Sequence, residues 1–74
     1  MTDMTYDPQA DAVYITLGRG KIASTAEISD NIIADYDGEG RVIGIEILTA
    51  TKVLAPGPWI KTRLPGTQPA DAAE

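Results

Sequence analysis

Short apolar runs alternate with turn-forming residues along the first two thirds of the chain. Each run shows the period-two alternation or the β-branched enrichment of a strand, and Gly, Pro, Asp or Asn separates one run from the next. The pattern predicts a mainly β fold with minor α, built as a small antiparallel meander sheet of four to five strands. The predicted strands are residues 4–6, 12–17, 22–28, 32–36 and 41–48, and residues 50–54 are predicted to form a short helical turn.

The turn lengths predict which side chains share the buried face, because a one-residue slip moves a whole strand face from core to solvent. The turn at residues 37–40 predicts these opposed pairs: Tyr36 with Arg41, Ala34 with Ile43, and Ile32 with Ile45. The predicted buried face consists of Val13, Ile15, Leu17, Ile22, Ala26, Ile28, Ile32, Ala34, Tyr36, Ile43, Ile45 and Ile47.

The opposite face of the predicted sheet mixes polar and apolar residues. Three interpretations stay open: scattered surface apolar side chains, a face covered by the C-terminal segment, or an oligomer interface. If an interface exists, we expect it to use Tyr14, Ile33, Val42, Leu48 and Trp59.

Composition divides the chain after residue 54. Residues 1–54 are predicted to form the small antiparallel β domain, and residues 55–74 a Pro- and Gly-rich C-terminal arm that ends in a disordered tail over residues 66–74. The apolar residues Trp59, Ile60 and Leu64 suit an arm that docks on a sheet, either its own or that of a neighbouring molecule.

The residue types that the chain lacks narrow its chemistry. It has no Cys and no His, so a thiol nucleophile and the commonest general base are both missing, and we expect no enzymatic activity. The net charge of −5 disfavours nucleic acid as a partner. The polar first residues and the lack of a run of ~18 apolar residues predict a cytoplasmic protein without membrane contact. A chain of 74 residues is near the lower limit for a self-sufficient core.

Acidic residues cluster at the turn between the last two predicted strands. Asp35, Asp37 and Glu39 alternate like the first ligands of an EF-hand calcium loop, and Glu46 falls at its twelfth position. The flanks are strand-like rather than helical, Ile43 stands at a ligand position, and the predicted register puts Glu46 about 13 Å from Asp35. The best candidate metal site is therefore the tip alone, with Asp35, Asp37 and Glu39, and we expect no cofactor.

Two segments of the chain are similar to a known family. Residues 6–15 read YDPQADAVYI, and residues 35–48 read DYDGEGRVIGIEIL. They resemble the opening YDPEADALYI and the closing stretch DYDEDGKVVGIEIL of the small bacterial domain-of-unknown-function family 2283. The resemblance covers about residues 4–54. Some members are encoded beside small toxin-like proteins, so the resemblance implies an antitoxin-like or partner-binding role, but it assigns no reaction and no site residues.

These features predict a non-enzymatic small β domain that serves as a protein–protein interaction or self-assembly module. The partly apolar second face, the small core and the arm favour a homo-oligomer, either a dimer or a larger assembly, or a complex with another small protein. The alternative is a small-molecule or metal-binding domain that uses the acidic hairpin tip.

Overall fold

A computed structural model describes residues 3–66 of the chain. Within that range the elements are β1 (Asp3–Asp7), β2 (Ala12–Thr16), β3 (Ser24–Ser29), β4 (Ile32–Tyr36), β5 (Val42–Leu48), the helix α1 (Ala50–Val53) and a 3-10 helix, η1 (Pro58–Lys61). The prediction of a mainly β, antiparallel fold is confirmed. The disordered tail predicted for residues 66–74 lies outside the described residues, except for Gly66. In residues 3–66 no helix is long and apolar enough to cross a membrane.

The five strands form one antiparallel sheet in the order β1-β2-β5-β4-β3. The predicted meander is wrong at one connection, since β2 and β3 are not neighbours. Residues 17–23 carry the chain from β2 to the far edge of the sheet, and β5 fills the space between β2 and β4. This order pairs the two strands with matching apolar alternation, because Val13 lies opposite Ile47 and Ile15 opposite Ile45.

The β4–β5 register also differs from the prediction. The observed pairs are Tyr36 with Val42, Ala34 with Ile45, and Ile32 with Ile47, with an irregularity after Asp35. The turn is longer than predicted, because the Asp37 N–H donates to the Arg41 carbonyl at 2.9 Å and Gly40 has a φ of +82°. A three-residue loop whose last residue is left-handed is a common hairpin, and glycine adopts that conformation at little cost.

The new register brings Glu46 closer to Asp35 than predicted. Asp35 lies opposite Gly44, and Glu46 lies two residues further along β5, opposite Ile33. Diagonal neighbours of this kind are about 7–8 Å apart, rather than 13 Å.

The core lies over one half of the sheet only. Its buried cluster consists of Tyr6, Val13, Ile47 and Ala50, and the partly buried residues packed on it are Met4, Ile15, Ile32, Ile45, Leu54 and Trp59. The C-terminal elements supply the cover, since α1 contacts β5 and η1 contacts β1.

In the other half of the sheet, four residues of the predicted buried face are exposed. Leu17, Ile22 and Ile28 are 48%, 55% and 59% exposed, and Ala26 is also exposed. The prediction was wrong for Ile22, Ala26 and Ile28 because it assigned their strand to the inside of the sheet. It was wrong for Leu17 because this residue follows the last residue of β2 and begins the connection to β3. β3 is an edge strand, and none of the described elements packs over it.

Candidate functional site

A buried carboxylate links three strands across the face of the sheet opposite the core. Asp35 on β4 is 9% exposed and is the buried charged residue of residues 3–66. Its Oδ2 accepts a hydrogen bond from the Tyr14 hydroxyl of β2 at 2.7 Å, and its Oδ1 accepts one from the Thr25 hydroxyl of β3 at 2.8 Å. Both carboxylate oxygens therefore have a partner, as a buried carboxylate requires.

The Tyr14 side chain reaches Asp35 by crossing β5 at a glycine. A Cβ built on Gly44 would lie 2.7 Å from Tyr14 Cζ and closer still to the hydroxyl oxygen. Burial, followed by the hydrogen bond and the charge of Asp35, raises the pKa of Tyr14 to about 12. Tyr14 therefore acts near neutral pH as a hydrogen-bond donor, and the cluster of Tyr14, Thr25 and Asp35 ties β2, β4 and β3 together.

A second polar cluster joins the β1–β2 turn to helix α1. Asp11 has a φ of +53°, and its carboxylate accepts hydrogen bonds from the Tyr6 hydroxyl at 2.9 Å and the Thr51 hydroxyl at 2.7 Å. It also accepts the Thr51 N–H, while its backbone carbonyl accepts the Ala50 N–H at 2.8 Å. The hydrogen bond from Thr51 is the main cause that lowers the pKa of Asp11. Asp11 thus satisfies the free N–H groups of a helix start from 40 residues away.

At the acidic hairpin tip, the carboxylate of Asp37 binds donors of its own loop. Asp37 Oδ1 accepts the N–H groups of Glu39 and Arg41, each at 2.9 Å, and Arg41 Nε lies 3.0 Å from Asp37 Oδ2. The N–H of Arg41 is the main cause that lowers the pKa of Asp37. The structure does not gather Asp35, Asp37 and Glu39 into one site, and among residues 3–66 no group of three acidic, His or Cys side chains is arranged to hold a metal.

A family model described as "Protein of unknown function (DUF2283)" matches residues 3–50. The chain belongs to this family. No curated protein and no solved structure matched the chain. The DUF2283 match covers all five strands and ends at the first residue of α1, so the remainder of α1 and η1 lie beyond it.

The two segments that carry the DUF2283 resemblance contribute the polar contacts described above. Tyr6 and Asp11 come from the first segment, and Asp35, Asp37 and Gly44 from the second. In this chain each of them holds strands, a turn or the helix start in place. In this chain these residues are therefore part of the contacts that hold the sheet, its turns and the helix start together.

Three of the predicted interface residues of the DUF2283 domain, Tyr14, Ile33 and Leu48, lie on the face of the sheet opposite the core. Tyr14 belongs to the Asp35 cluster, Ile33 is half-buried beside it on the same face, and Val42 is 40% exposed at the start of β5. Leu48 is half-buried at the far end of β5. Trp59 packs on the opposite face, edge-on to Tyr6 with ring centroids 5.0 Å apart, and its indole N–H donates to the Ala55 carbonyl at 2.7 Å. Trp59 therefore docks on its own sheet.

β3, which the sequence predicted to be an inner strand, is the most exposed strand of the DUF2283 sheet. All six residues of β3 are exposed, and within residues 3–66 the strand has a neighbour on one side only, β4. Ile28 in β3 and Ile22, two residues before it, are the most exposed of the large apolar residues that the structure describes. The amphipathic alternation of β3 resembled that of a half-buried strand, so the sequence carried no signal of its edge position.

Proposed function

We propose that this chain is a non-enzymatic protein-interaction module that binds another polypeptide along β3. One observation carries the proposal: β3 is an edge strand whose six residues are all exposed and whose outer side has no partner in residues 3–66. Such an edge presents a row of N–H and C=O groups that can pair with a strand of another chain.

The opposite edge of the sheet supports the proposal by contrast. The Tyr6 N–H on β1 donates to the Arg63 carbonyl at 3.0 Å, and the Arg63 side chain pairs with Asp3. The chain thus covers the β1 edge with its own C-terminal segment. Proteins that avoid edge pairing usually protect an edge with Pro, Lys or a covering element. β3 contains neither Pro nor Lys, and its single charged residue is Glu27. Its pairing with β4 is irregular between Glu27 and Ser29, so residues 24–27 form the regular part of the edge.

The side chains around β3 provide apolar area for an incoming strand. Ile22, two residues before β3, and Ile28, within it, are each more than half exposed. The polar clusters of the sheet support a binding role rather than a catalytic one, since Asp11, Asp35 and Asp37 are engaged within the fold. In the antitoxin-like form of this function, which the family resemblance implies, the bound chain is a small toxin-like protein.

The mass of the full chain purified from its native host tests the proposal. Light scattering and mass spectrometry should find a complex heavier than the 7.8 kDa monomer, with a second chain in stoichiometric amount. The substitution Ile28→Lys should release that chain, because it places a charge at the β3 edge. Val53→Lys on α1 is the matched control, since Val53 is also partly exposed but lies far from β3 in the topology. A lone monomer, or equal effects of both substitutions, would contradict the proposal.

A further inference from the structure

We propose that the polypeptide bound at β3 is a second copy of this chain, paired antiparallel about a two-fold axis at Thr25. This inference rests on the proposed function and names the partner. The pairing would join two five-stranded sheets into one continuous sheet, with the two β3 strands at its centre. It would also remove the exposed edge of both copies at once.

The sequence around β3 is nearly symmetric about Thr25. Residues 22–28 read IASTAEI, so isoleucine stands three residues before Thr25 and three residues after it. Ile22 lies two residues before β3, and Ile28 lies where the pairing of β3 with β4 is irregular. With the strand of each copy extended back to residue 22, an antiparallel pair centred on Thr25 would place Ile22 of one copy opposite Ile28 of the other, and Ser24 opposite Ala26. The two most exposed isoleucines of the described chain thus cover each other, and small residues meet small residues between them.

Charge selects this register over its neighbours. A pair centred on Glu27 would place two carboxylates directly opposite each other, which is destabilising. A pair centred on Ala26 would leave the two Glu27 residues on a diagonal, about 7–8 Å apart. With Thr25 at the centre, Glu27 lies opposite Ala23 and the two glutamates are about 13 Å apart along the strands.

Charges beyond the ends of β3 favour a second copy as well. Lys21 precedes the strand and Asp30 follows it. Antiparallel pairing brings the start of one strand beside the end of the other, so Lys21 of each copy comes near Asp30 of its partner.

The small area of the β3–β3 interface limits the expected affinity of the dimer. Pairing one six-residue strand per copy buries less than the ~1,200 Å² of a standard stable interface. We therefore expect a reversible dimer with a Kd of about micromolar order. Sedimentation of the full chain should show monomer changing to dimer as its concentration rises from about 1 μM to about 1 mM.

Cysteine substitution tests the register directly, because the chain contains no cysteine. Directly opposed residues of antiparallel strands have Cα atoms about 4.5–5.5 Å apart, within the range that a disulfide spans. The full-length Thr25→Cys variant should therefore form a disulfide-linked dimer in a glutathione redox buffer. Glu27→Cys, on the same face of the same strand, should not, because its two sulfurs would be more than about 10 Å apart.

Thr25→Cys also removes the hydrogen bond to Asp35, and this loss could unfold the variant. A mixture of two other cysteine variants then tests the same register. Ala23→Cys and Glu27→Cys lie opposite each other in the proposed register, so a mixture of these two variants should form a linked heterodimer more readily than Glu27→Cys alone. Circular dichroism would verify that each variant is folded.

The outcomes separate this inference from the proposed function. Equal cross-linking of Thr25→Cys and Glu27→Cys, or a dimer that neither disulfide pair traps, would overturn the proposed register. A foreign chain bound in place of a second copy, and released by Ile28→Lys, would overturn the self-pairing while leaving the interaction function intact. A monomer with no bound chain would overturn both.

Discussion

Gly44 is the position where one methyl group should disrupt the Asp35 cluster. The Tyr14 ring lies across β5 at this glycine, and a Cβ there would be 2.7 Å from Tyr14 Cζ. Real Cβ atoms essentially never approach another atom so closely. Gly44→Ala should therefore displace the ring and break the 2.7 Å hydrogen bond from its hydroxyl to Asp35.

The expected cost follows from two opposing effects. Loss of a hydrogen bond to a charged group costs about 1.5–3 kcal/mol, and it leaves one oxygen of the buried Asp35 carboxylate without its donor. Replacing glycine by alanine within a strand returns about 0.5–1 kcal/mol of backbone entropy. The net loss should be about 1–2 kcal/mol in the free energy of unfolding, or a fall of about 5–15 °C in Tm for a domain of this size.

Urea unfolding, followed by the fluorescence of Trp59, the single tryptophan of the chain, measures this loss. Tyr14→Phe should cost a similar amount, because it removes the same hydrogen bond. The double variant should cost much less than the sum, with a coupling energy of about 1–2 kcal/mol. Gly38→Ala is the matched control, since a Cβ at that turn position meets no atom within 4 Å.

Two results would refute the reasoning about Gly44. One is a Gly44→Ala variant as stable as the wild type while Tyr14→Phe is destabilised. The other is strict additivity of the two substitutions, which would mean that the methyl group and the hydroxyl act at separate places.

Three further predictions concern the polar clusters and the arm. Because the pKa of Tyr14 is raised from 10.0 to about 12, its contribution to stability is complete below pH 10 and is lost as the pH rises through 12. Between pH 10 and pH 12 the free energy of unfolding should therefore fall less for Tyr14→Phe than for the wild type. The pKa of Asp11 is lowered, so the contribution of Asp11 to stability is present above pH 3.8, its ordinary pKa, and is lost as the pH falls further. In thermal melts at neutral pH, Asp11→Ala should be less stable than Asp11→Asn, because asparagine tolerates a φ of +53°. Equal melting of the two variants would argue against the backbone explanation. Trp59→Ala should destabilise the fold by about 2–3 kcal/mol in urea unfolding followed by circular dichroism, since the half-buried indole covers Tyr6. Ile60→Ala, at a 48% exposed neighbour, should change stability little in the same assay.

Local patterns predicted the strands well. The observed bounds of β4 equal the predicted ones, and those of the other strands differ by one or two residues at either end. The helical turn after β5 was also predicted. These features depend on alternation and turn chemistry within a few residues, and the sequence displays such interactions directly.

The sequence predicted less of the candidate site than of the fold. Tyr14 and Asp35 are 21 residues apart, and Asp11 and Thr51 are 40 apart. The tyrosine was predicted as an interface residue and Asp35 as a metal ligand, although each is the other's partner. Which hydroxyl meets which carboxylate depends on strand order, and the pattern of a single strand does not contain that order.

The sequence by itself thus determined the mainly β character, the place of each strand and the family of this protein. Only the tertiary structure decided that β5 lies between β2 and β4, that the arm covers β1, and that β3 is the uncovered edge of the sheet formed by residues 3–66. The reason is physical. Strand formation reflects short-range backbone preferences, whereas strand order is set by competition among all apolar faces for a limited buried area, and every strand of this chain offers a similar amphipathic face.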